Sequence, residues 1–272
     1  PFLQDKRFVG RRDDLEKLHS LMKRDAPIGV SAVTGMGGIG KTQLAVEYAY
    51  RHRADYPGGV YWVNAAADWQ AELARLASKV GIRDLSSAEH ERERWLARAF
   101  VEYLGQHAGA LLIFDNVEDP LELQNVSRDI VPGQLPCRLL LTTRRQTPTF
   151  PMVDVRALDE ADALRLLLDT PTRRSLLEGG TAEELATARS ICKTLGYLPL
   201  ALVLASAHLD KSPRITLAGY LQGIAKHGAL LVTDHAKVDP RELATQHAKA
   251  VRATLEEQWA ALRREDARQV LQ

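Results

Sequence analysis

One short stretch of the chain combines glycines, a lysine and a threonine at a spacing that can bind phosphate. Residues Gly35 to Thr42 read Gly-Met-Gly-Gly-Ile-Gly-Lys-Thr, which matches the pattern G-x-x-x-x-G-K-[ST]. Glycines let the backbone turn so that successive N–H groups point at an anion, and a helix beginning there adds partial positive charge. Lys41 would supply a charge to the β- and γ-phosphates, and the Thr42 hydroxyl can ligate Mg²⁺. The stretch therefore predicts a nucleotide-phosphate site.

A carboxylate that could complete the magnesium site follows an apolar run further along the chain. Residues 111–115 read Leu-Leu-Ile-Phe-Asp, so Asp115 would emerge at the carboxyl end of a buried strand. Ligands bind at that edge in open α/β sheets. We therefore predict that Thr42 and Asp115 together hold Mg²⁺.

The residues after Asp115 bear on hydrolysis. Asn116 comes next, and its amide cannot accept a proton from an attacking water. Glu118 or Asp119 could substitute through a water, although Asp119-Pro120 also fits an ordinary helix start. Catalysis is therefore expected to be slow.

The elements that must position these residues alternate over the first half of the chain. Short runs rich in β-branched and aromatic residues alternate with helix-compatible segments, which is typical of a parallel sheet covered by helices. The predicted strands are 28–33, 59–63, 110–114, 138–142 and a shorter one at 152–155. The predicted helices are 13–22, capped by Asp13 or Asp14, 42–53, 69–80, 89–107 and 121–130.

The second half of the chain reads as helices only. Asp159 is predicted to cap the next helix, residues 181–184 have the capping-box pattern, and Pro199 fits the first turn of another helix. We predict an α/β nucleotide-binding domain over 1–156, a helical subdomain over 157–238 and the start of a further helical unit over 239–272.

Composition and spacing give no support for several classes of protein. The net charge is +1, from 36 basic and 35 acidic residues, so a one-signed field for nucleic acid is missing. The apolar runs are far shorter than the roughly 20 residues that span a bilayer. Cys137 and Cys192 lack a C-x-x-C spacing, and the eight histidines show no ligand spacing. We expect no membrane partner and a cytoplasmic location, and the charge balance gives no support for a nucleic-acid partner. The tryptophans are expected to pack in cores or grooves.

The motifs together resemble the NB-ARC branch of the STAND signalling ATPases, an AAA+-related group that includes resistance proteins, apoptosome scaffolds and bacterial regulators. They occur in the family's order: Phe8-Val9-Gly10-Arg11, the loop 35–42, the strand 111–117, Leu141-Thr142-Thr143-Arg144, and residues 195–202 around Gly196 and Pro199. The resemblance implies a three-layer P-loop NTPase domain, an ARC1-like helical subdomain and a winged-helix unit that begins within 239–272.

The resemblance also implies roles for individual residues. Val9 and Arg11 would line the adenine, Arg144 would read the γ-phosphate, and Pro199 would pack over the base, while Arg145 is an alternative to Arg144. The residues implied to act in catalysis are Lys41, Asp115 and Arg144. The implied nucleotide-binding residues are Phe8, Val9, Gly10, Arg11, Met36, Gly37, Gly38, Ile39, Gly40, Lys41, Thr42, Gln43, Arg144, Pro199 and Leu200.

Two departures from the family pattern stand out. Two residues, Tyr197 and Leu198, separate Gly196 from Pro199 where the family often has one, which leaves the role of the glycine open. The histidine motif of the winged-helix unit is not visible. Because the chain starts at Pro1 and ends within a helical pattern, we expect a fragment whose sensor and effector domains lie outside it.

The favoured function is an ATP/ADP-dependent molecular switch. ADP would hold a closed resting state, and ATP would open it and promote self-association, with weak Mg²⁺-dependent ATP hydrolysis resetting the switch. The alternatives are a turnover ATPase or kinase of another P-loop class, and a DNA-handling ATPase.

Overall fold

The structure is a computed structural model that describes residues 7–23, 30–35, 37–83, 89–119, 137–146 and 151–227. The predicted helix at 121–130, the predicted unit at 239–272 and the predicted site residue Met36 lie outside these ranges. Among the described residues, no helix is both long enough and apolar enough to cross a bilayer.

A parallel sheet forms the centre of the first half of the chain. Its strands are β1 (Val30–Thr34), β2 (Val60–Asn64), β3 (Leu111–Val117), β4 (Arg138–Thr143) and β5 (Met152–Asp154). The strands lie in the order β2-β3-β4-β1-β5, and every pair is parallel. This confirms the predicted α/β fold with a parallel sheet, and the strand bounds differ from those predicted by a few residues at most.

Helices connect the strands and then continue alone. Those of the first half are α1 (Arg12–Met22), α2 (Lys41–Arg51), α3 (Trp69–Lys79) and α4 (Glu89–Gln106). Those of the second half are α5 (Glu160–Leu168), α6 (Ser175–Gly179), α7 (Ala182–Thr194), α8 (Pro199–Lys211) and α9 (Leu217–His227). The prediction that Asp13 or Asp14 caps α1 is wrong. The helix begins at Arg12, so both aspartates lie in its first turn.

Local sequence signals set the N-terminal starts of three later helices as predicted. The Asp159 carboxylate accepts a hydrogen bond from Asp162 N at 2.8 Å. Thr181 and Glu184 form the reciprocal capping box at the start of α7. Pro199 occupies the first turn of α8, where its missing N–H leaves no helical bond unmade.

Two hydrophobic cores lie on opposite faces of the sheet. Among the described residues, the α3/α4 core is formed by α3, α4, β2, β3, β4 and residues beside them, including Leu73, Phe100, Leu104, Leu112 and Leu141. The other core, called the shared core below, joins α1, α2 and the sheet to the helices of the second half. Its members include Leu18, Leu44, Ile113, Ile191 and Leu202. The helical half therefore shares one continuous core with α1, α2 and this face of the sheet.

The tryptophan prediction is wrong at one position. Trp62 is buried in β2 and Trp69 is half-buried at the start of α3, whereas the Trp95 side chain on α4 is 47% exposed. The neighbouring α4 positions Leu96 and Phe100 face the α3/α4 core instead. Helical periodicity places residue 95 on the outer side of that helix.

Candidate nucleotide-binding site

The glycine-rich loop joins β1 to α2 at the carboxyl edge of the sheet. Gly35 has φ 138°, and a Cβ built there would lie 2.6 Å from the Val155 carbonyl oxygen and 3.1 Å from Ile39 Cγ2. Gly40 has φ 100° and precedes the first residue of α2. Only glycine fits such a tight approach in the left-handed region. The loop thus keeps the narrow, helix-capping shape that phosphate binding by backbone N–H groups requires.

Lys41 crosses this loop from the first turn of α2. Its Nζ donates a hydrogen bond to the Gly35 carbonyl oxygen at 2.8 Å, and the side chain is buried. Burial, followed by the nearby charge of Arg144, lowers the pKa of Lys41 to about 8, against the pull of Asp115. An ammonium held in this way gains a partner when an anionic phosphate enters the loop.

Asp115 is held by two threonine hydroxyls. Thr42 Oγ1 donates to Asp115 Oδ1 at 2.8 Å, and Thr142 Oγ1 of the adjacent strand donates to the same oxygen. The carboxylate is 3% exposed, so these bonds fix its orientation. The structure therefore brings the two predicted magnesium residues into direct contact. Hard oxygen donors of this kind suit Mg²⁺, with waters and phosphate oxygens completing its shell.

Thr142 is a site residue that sequence reasoning did not assign. The Asn116 backbone N–H donates to Thr142 Oγ1 at 3.0 Å, so this hydroxyl bridges the backbone of β3 and the Asp115 carboxylate. The parallel register between the strands shifts after Phe114, and Asn116 has φ 63°. Bulges of this type re-aim side chains beside functional sites. A buried polar residue in an otherwise apolar strand was the signal available in the sequence.

The two candidate arginines after β4 differ in their surroundings. Arg145 pairs with Asp119 at 3.3 Å, and its backbone N–H donates to Thr143 Oγ1. Arg144 is exposed, and its charge contributes to the lowered pKa of Lys41. Arg144 therefore acts on the loop electrostatically, while the Arg145 side chain is directed at Asp119. This arrangement favours Arg144 over Arg145 as the arginine nearest to a bound terminal phosphate.

The N-terminal motif divides between two places. Arg11 donates from Nη2 to the Ile39 carbonyl oxygen at 3.0 Å and from Nη1 to Asp14 at 3.3 Å, which ties the start of α1 to the glycine-rich loop. Phe8, by contrast, lies near Arg51 at the far end of α2, with 6.0 Å between the guanidinium carbon and the ring centroid. Phe8, Val9 and Gly10 line a cleft on that side of α1.

The start of α8 contacts the same loop from the helical half. The Leu200 backbone N–H donates to the Gly38 carbonyl oxygen at 3.3 Å. A Cβ at Gly40 would lie 3.9 Å from Pro199 Cγ. One of the N–H groups that every helix start leaves without a helical partner is thereby bonded to the loop. Gln43 is half-buried in the first turn of α2. The sequence-predicted residues on the loop, on β3 and on α8 thus converge.

The geometry also answers the question left by Gly196. Gly196 and Tyr197 have φ 62° and 55°, and Tyr197 N donates to the Cys192 carbonyl oxygen at 3.0 Å while Gly196 N donates to Lys193. This is the Schellman end of α7. The Tyr197 carbonyl oxygen in turn accepts from Leu158 N at 3.1 Å. The glycine therefore ends one helix so that the next can begin against the loop.

The family model of the NB-ARC domain matches residues 11–173 of the chain. The chain belongs to the NB-ARC family. The matched range includes the loop, both threonines that bind Asp115 and the strand that ends before Arg144. The match also confirms the predicted membership in the STAND type of P-loop NTPases.

Relatives of this NB-ARC chain are much longer proteins. A nucleotide-binding leucine-rich repeat-like protein of the fungus Hyaloscypha variabilis is 28% identical over 82% of the chain and 24% of its own length. The regulatory protein AfsR of Streptomyces griseus is 29% identical over 74% of the chain and 21% of its own length. The chain thus spans about a quarter of the length of these curated relatives.

A solved structure supports the fold alone. The crystal structure of Cdc6p from Pyrobaculum aerophilum superposes with a TM-score of 0.54 at 17% identity, covering 82% of this chain and 65% of that one. Its sequence is too distant for residue roles to be transferred. The match agrees with a parallel sheet flanked by helices and followed by a helical unit.

Proposed function

We propose that this NB-ARC chain is the nucleotide-dependent switch of a longer signalling protein. ADP with Mg²⁺ holds the α/β and helical halves in a closed resting arrangement, and exchange for ATP favours an open form that self-associates in the cytoplasm. The predicted sensor and effector domains outside the chain receive and transmit this change. The adenine nucleotide is the ligand, and neither a membrane nor nucleic acid is part of the proposal.

The hydrogen bond from Leu200 N to the Gly38 carbonyl oxygen carries the proposal. A nucleotide bound on the loop would touch the α/β half through Lys41 and lie against the start of α8. A ligand shifts a conformational equilibrium only through its different affinity for the two states. A site at the junction of two packed halves offers such a difference, because the loop backbone is part of the contact between them.

The γ-phosphate is the only chemical difference between ATP and ADP. Arg144, next to β4, and the Mg²⁺ held by Thr42 and Asp115 are the groups that would sense it. Lys41 would bind the β- and γ-phosphates and stabilise the charge that develops when the terminal phosphoryl group leaves. Bound Mg²⁺ would supply further neutralisation of that charge.

Hydrolysis in this proposal is slow because the residue that follows Asp115 is an amide and not a carboxylate. The backbone of Asn116 is held by Thr142, and the amide side chain of Asn116 cannot take a proton from water. Asp119, a candidate base, is paired with Arg145. A long-lived ATP state suits a switch, whereas a motor or kinase needs turnover faster than about 1 s⁻¹ without a partner.

Small-angle scattering and light scattering of the full-length protein test the switch. With Mg²⁺-ADP we expect a compact monomer, and with Mg²⁺ and a non-hydrolysable ATP analogue a more extended particle and a higher mass. The Lys41→Ala variant is the matched control, and its profile should not respond to either nucleotide. Identical wild-type profiles with both nucleotides would contradict the proposal, and rapid steady-state turnover would favour the turnover enzyme instead.

A further inference from the structure

Away from the glycine-rich loop, the C-terminal ends of α1 and α2 bring together three side chains that ligate metals. His19 lies in the last turn of α1, His52 follows the last residue of α2, and Asp55 ends the 3-10 turn Arg53–Asp55. One donor atom from each of the three lies within 4.8 Å of the other two. Residue spacing does not indicate this cluster, because His19 is remote in sequence from the other two residues.

The positions of the two imidazoles are set by packing. Their rings are stacked, with centroids 3.8 Å apart and planes at 17°. The Tyr48 hydroxyl lies 3.4 Å from His19 Nδ1 and 2.7 Å from the Tyr56 hydroxyl, so a buried tyrosine pair stands behind the His19 ring. Hydrogen-bond partners of this kind orient metal-ligating histidines.

Asp55 completes the cluster from the solvent side. Its Oδ2 lies 3.2 Å from His52 Nδ1, and its side chain is 48% exposed while that of His52 is 23% exposed. The carboxylate can therefore rotate toward a cation at little cost. The cluster also borders a cleft of about 550 Å³ whose lining includes Phe8, His19 and His52. A metal ion has a route to the site from solvent.

We infer that His19, His52 and Asp55 form a binding site for a divalent transition metal of the zinc class, separate from the magnesium site of the nucleotide. Two imidazoles and one carboxylate are a donor set that Zn²⁺ accepts with a fourth position left for water or another ligand. Imidazole nitrogens select against Mg²⁺, which prefers oxygen donors.

The geometry requires only side-chain movement. Bonds of about 2.0–2.2 Å around tetrahedral Zn²⁺ place the donors about 3.4 Å apart. The present separations of up to 4.8 Å close by torsion of the Asp55 and histidine side chains. The two rings give up part of their stacking, because a metal lies in the plane of each ring that binds it. An occupied site would clamp the ends of α1 and α2 together.

Zinc binding by the full-length protein, purified without a polyhistidine tag, tests this inference. The affinity is measured by competition with a chromophoric zinc chelator, and Co²⁺ absorption reports whether the bound metal is tetrahedral. We expect one Zn²⁺ equivalent whose affinity falls at least about tenfold in Asp55→Asn and at least about 100-fold in His19→Ala or His52→Ala, because loss of a residue that only orients a ligand already costs about 10–100-fold.

The matched control is His107→Ala, because His107 is an exposed histidine just after α4 that lies outside the cluster. This variant should bind one equivalent of Zn²⁺ with wild-type affinity. Mg²⁺-ADP affinity, measured in parallel, verifies that each variant is folded, and Asp55→Asn remains informative if the His19 variant does not fold. Unchanged zinc affinity and stoichiometry in His52→Ala and Asp55→Asn, or no saturable zinc binding by the wild type, would overturn the inference.

Discussion

The two faces of the sheet pack against different parts of the molecule. In the described part of the chain, the α3/α4 core is built from residues of the first half, and it packs against one face of β3 and β4. The shared core lies on the side of α2, and it continues without interruption into α5, α7 and α8. Lys41 begins α2, and Thr42 bonds Asp115 on this side. One face thus stabilises the domain, while the other also connects the nucleotide site to the helical half.

A bound nucleotide can therefore influence the two cores to different degrees. A ligand on the loop contacts elements of the shared core, including α2 and the start of α8, and it meets the α3/α4 core only through the sheet. Substitutions in the two cores should therefore lower the free energy of unfolding by similar amounts. Their effects on nucleotide affinity should differ.

The largest effect is expected from a matched pair of leucines, one in each core. Leu104 of α4 and Leu202 of α8 are both fully buried. Truncation to alanine at either position should lower the free energy of unfolding by about 2–5 kcal/mol, because each removes apolar contacts and leaves a cavity. Chemical denaturation measures this loss.

ADP binding separates the two leucine variants. Calorimetry under conditions where both are folded should give Leu104→Ala wild-type ADP affinity and Leu202→Ala a weaker one, because α8 carries Pro199 and Leu200 to the loop. Equal ADP affinities in the two variants would show that the faces do not differ in the proposed way.

The next effect concerns the phosphate site itself. Lys41→Ala should weaken ADP binding by about 100-fold or more, because a charge-assisted bond in a buried site contributes roughly 3 kcal/mol. Lys79→Ala, on an exposed position at the end of α3, is the control and should leave ADP affinity unchanged. Isothermal titration provides both values, and wild-type affinity in Lys41→Ala would refute the assignment of the loop.

A smaller effect is expected from Thr142, which orients Asp115. Thr142→Val keeps the side-chain volume and removes the hydroxyl, so the Mg²⁺-dependent gain in ATP affinity should fall about tenfold, as is typical when a residue that orients a metal ligand is lost. Thr143→Val is the matched control in the same strand, because Thr143 Oγ1 accepts from Arg145 N instead. Equal Mg²⁺ dependence in both variants would remove Thr142 from the site.

The smallest effect is a dependence on pH. The pKa of Lys41 is lowered to about 8 by burial and by Arg144, so the ammonium is charged below that pH and loses its proton above it. ADP affinity should therefore fall above pH 8, by up to about tenfold per pH unit, since binding then requires proton uptake. Arg144→Ala removes a like charge and so raises the pKa of Lys41. In that variant, ADP affinity should begin to fall at a higher pH. An onset at the same pH in both proteins would argue against this coupling.

The parts of the site that are formed by adjacent residues could be predicted from the sequence. The loop, Lys41 and Thr42 form one local motif, and Asp115 ends an apolar run, so the fold and this half of the arrangement could be predicted. The parallel sheet likewise follows from alternating patterns. The roles of the individual site residues remain predictions that the experiments above address.

Contacts between distant segments could not be predicted in the same way. The bond from Thr142 to Asp115 depends on the register of two strands and on a bulge at Asn116. The bond from Leu200 to Gly38 depends on how two halves pack. The exposed Trp95 shows that a hydrophobic residue within a helix pattern does not by itself indicate which side faces the core.

A crystal structure of the protein with Mg²⁺-ADP would show whether the glycine-rich loop binds the diphosphate. We expect the diphosphate against the N–H groups of residues 37–42, with Lys41 Nζ and the start of α8 in contact with the nucleotide. A diphosphate bound elsewhere, with the loop empty, would refute the assignment of the loop.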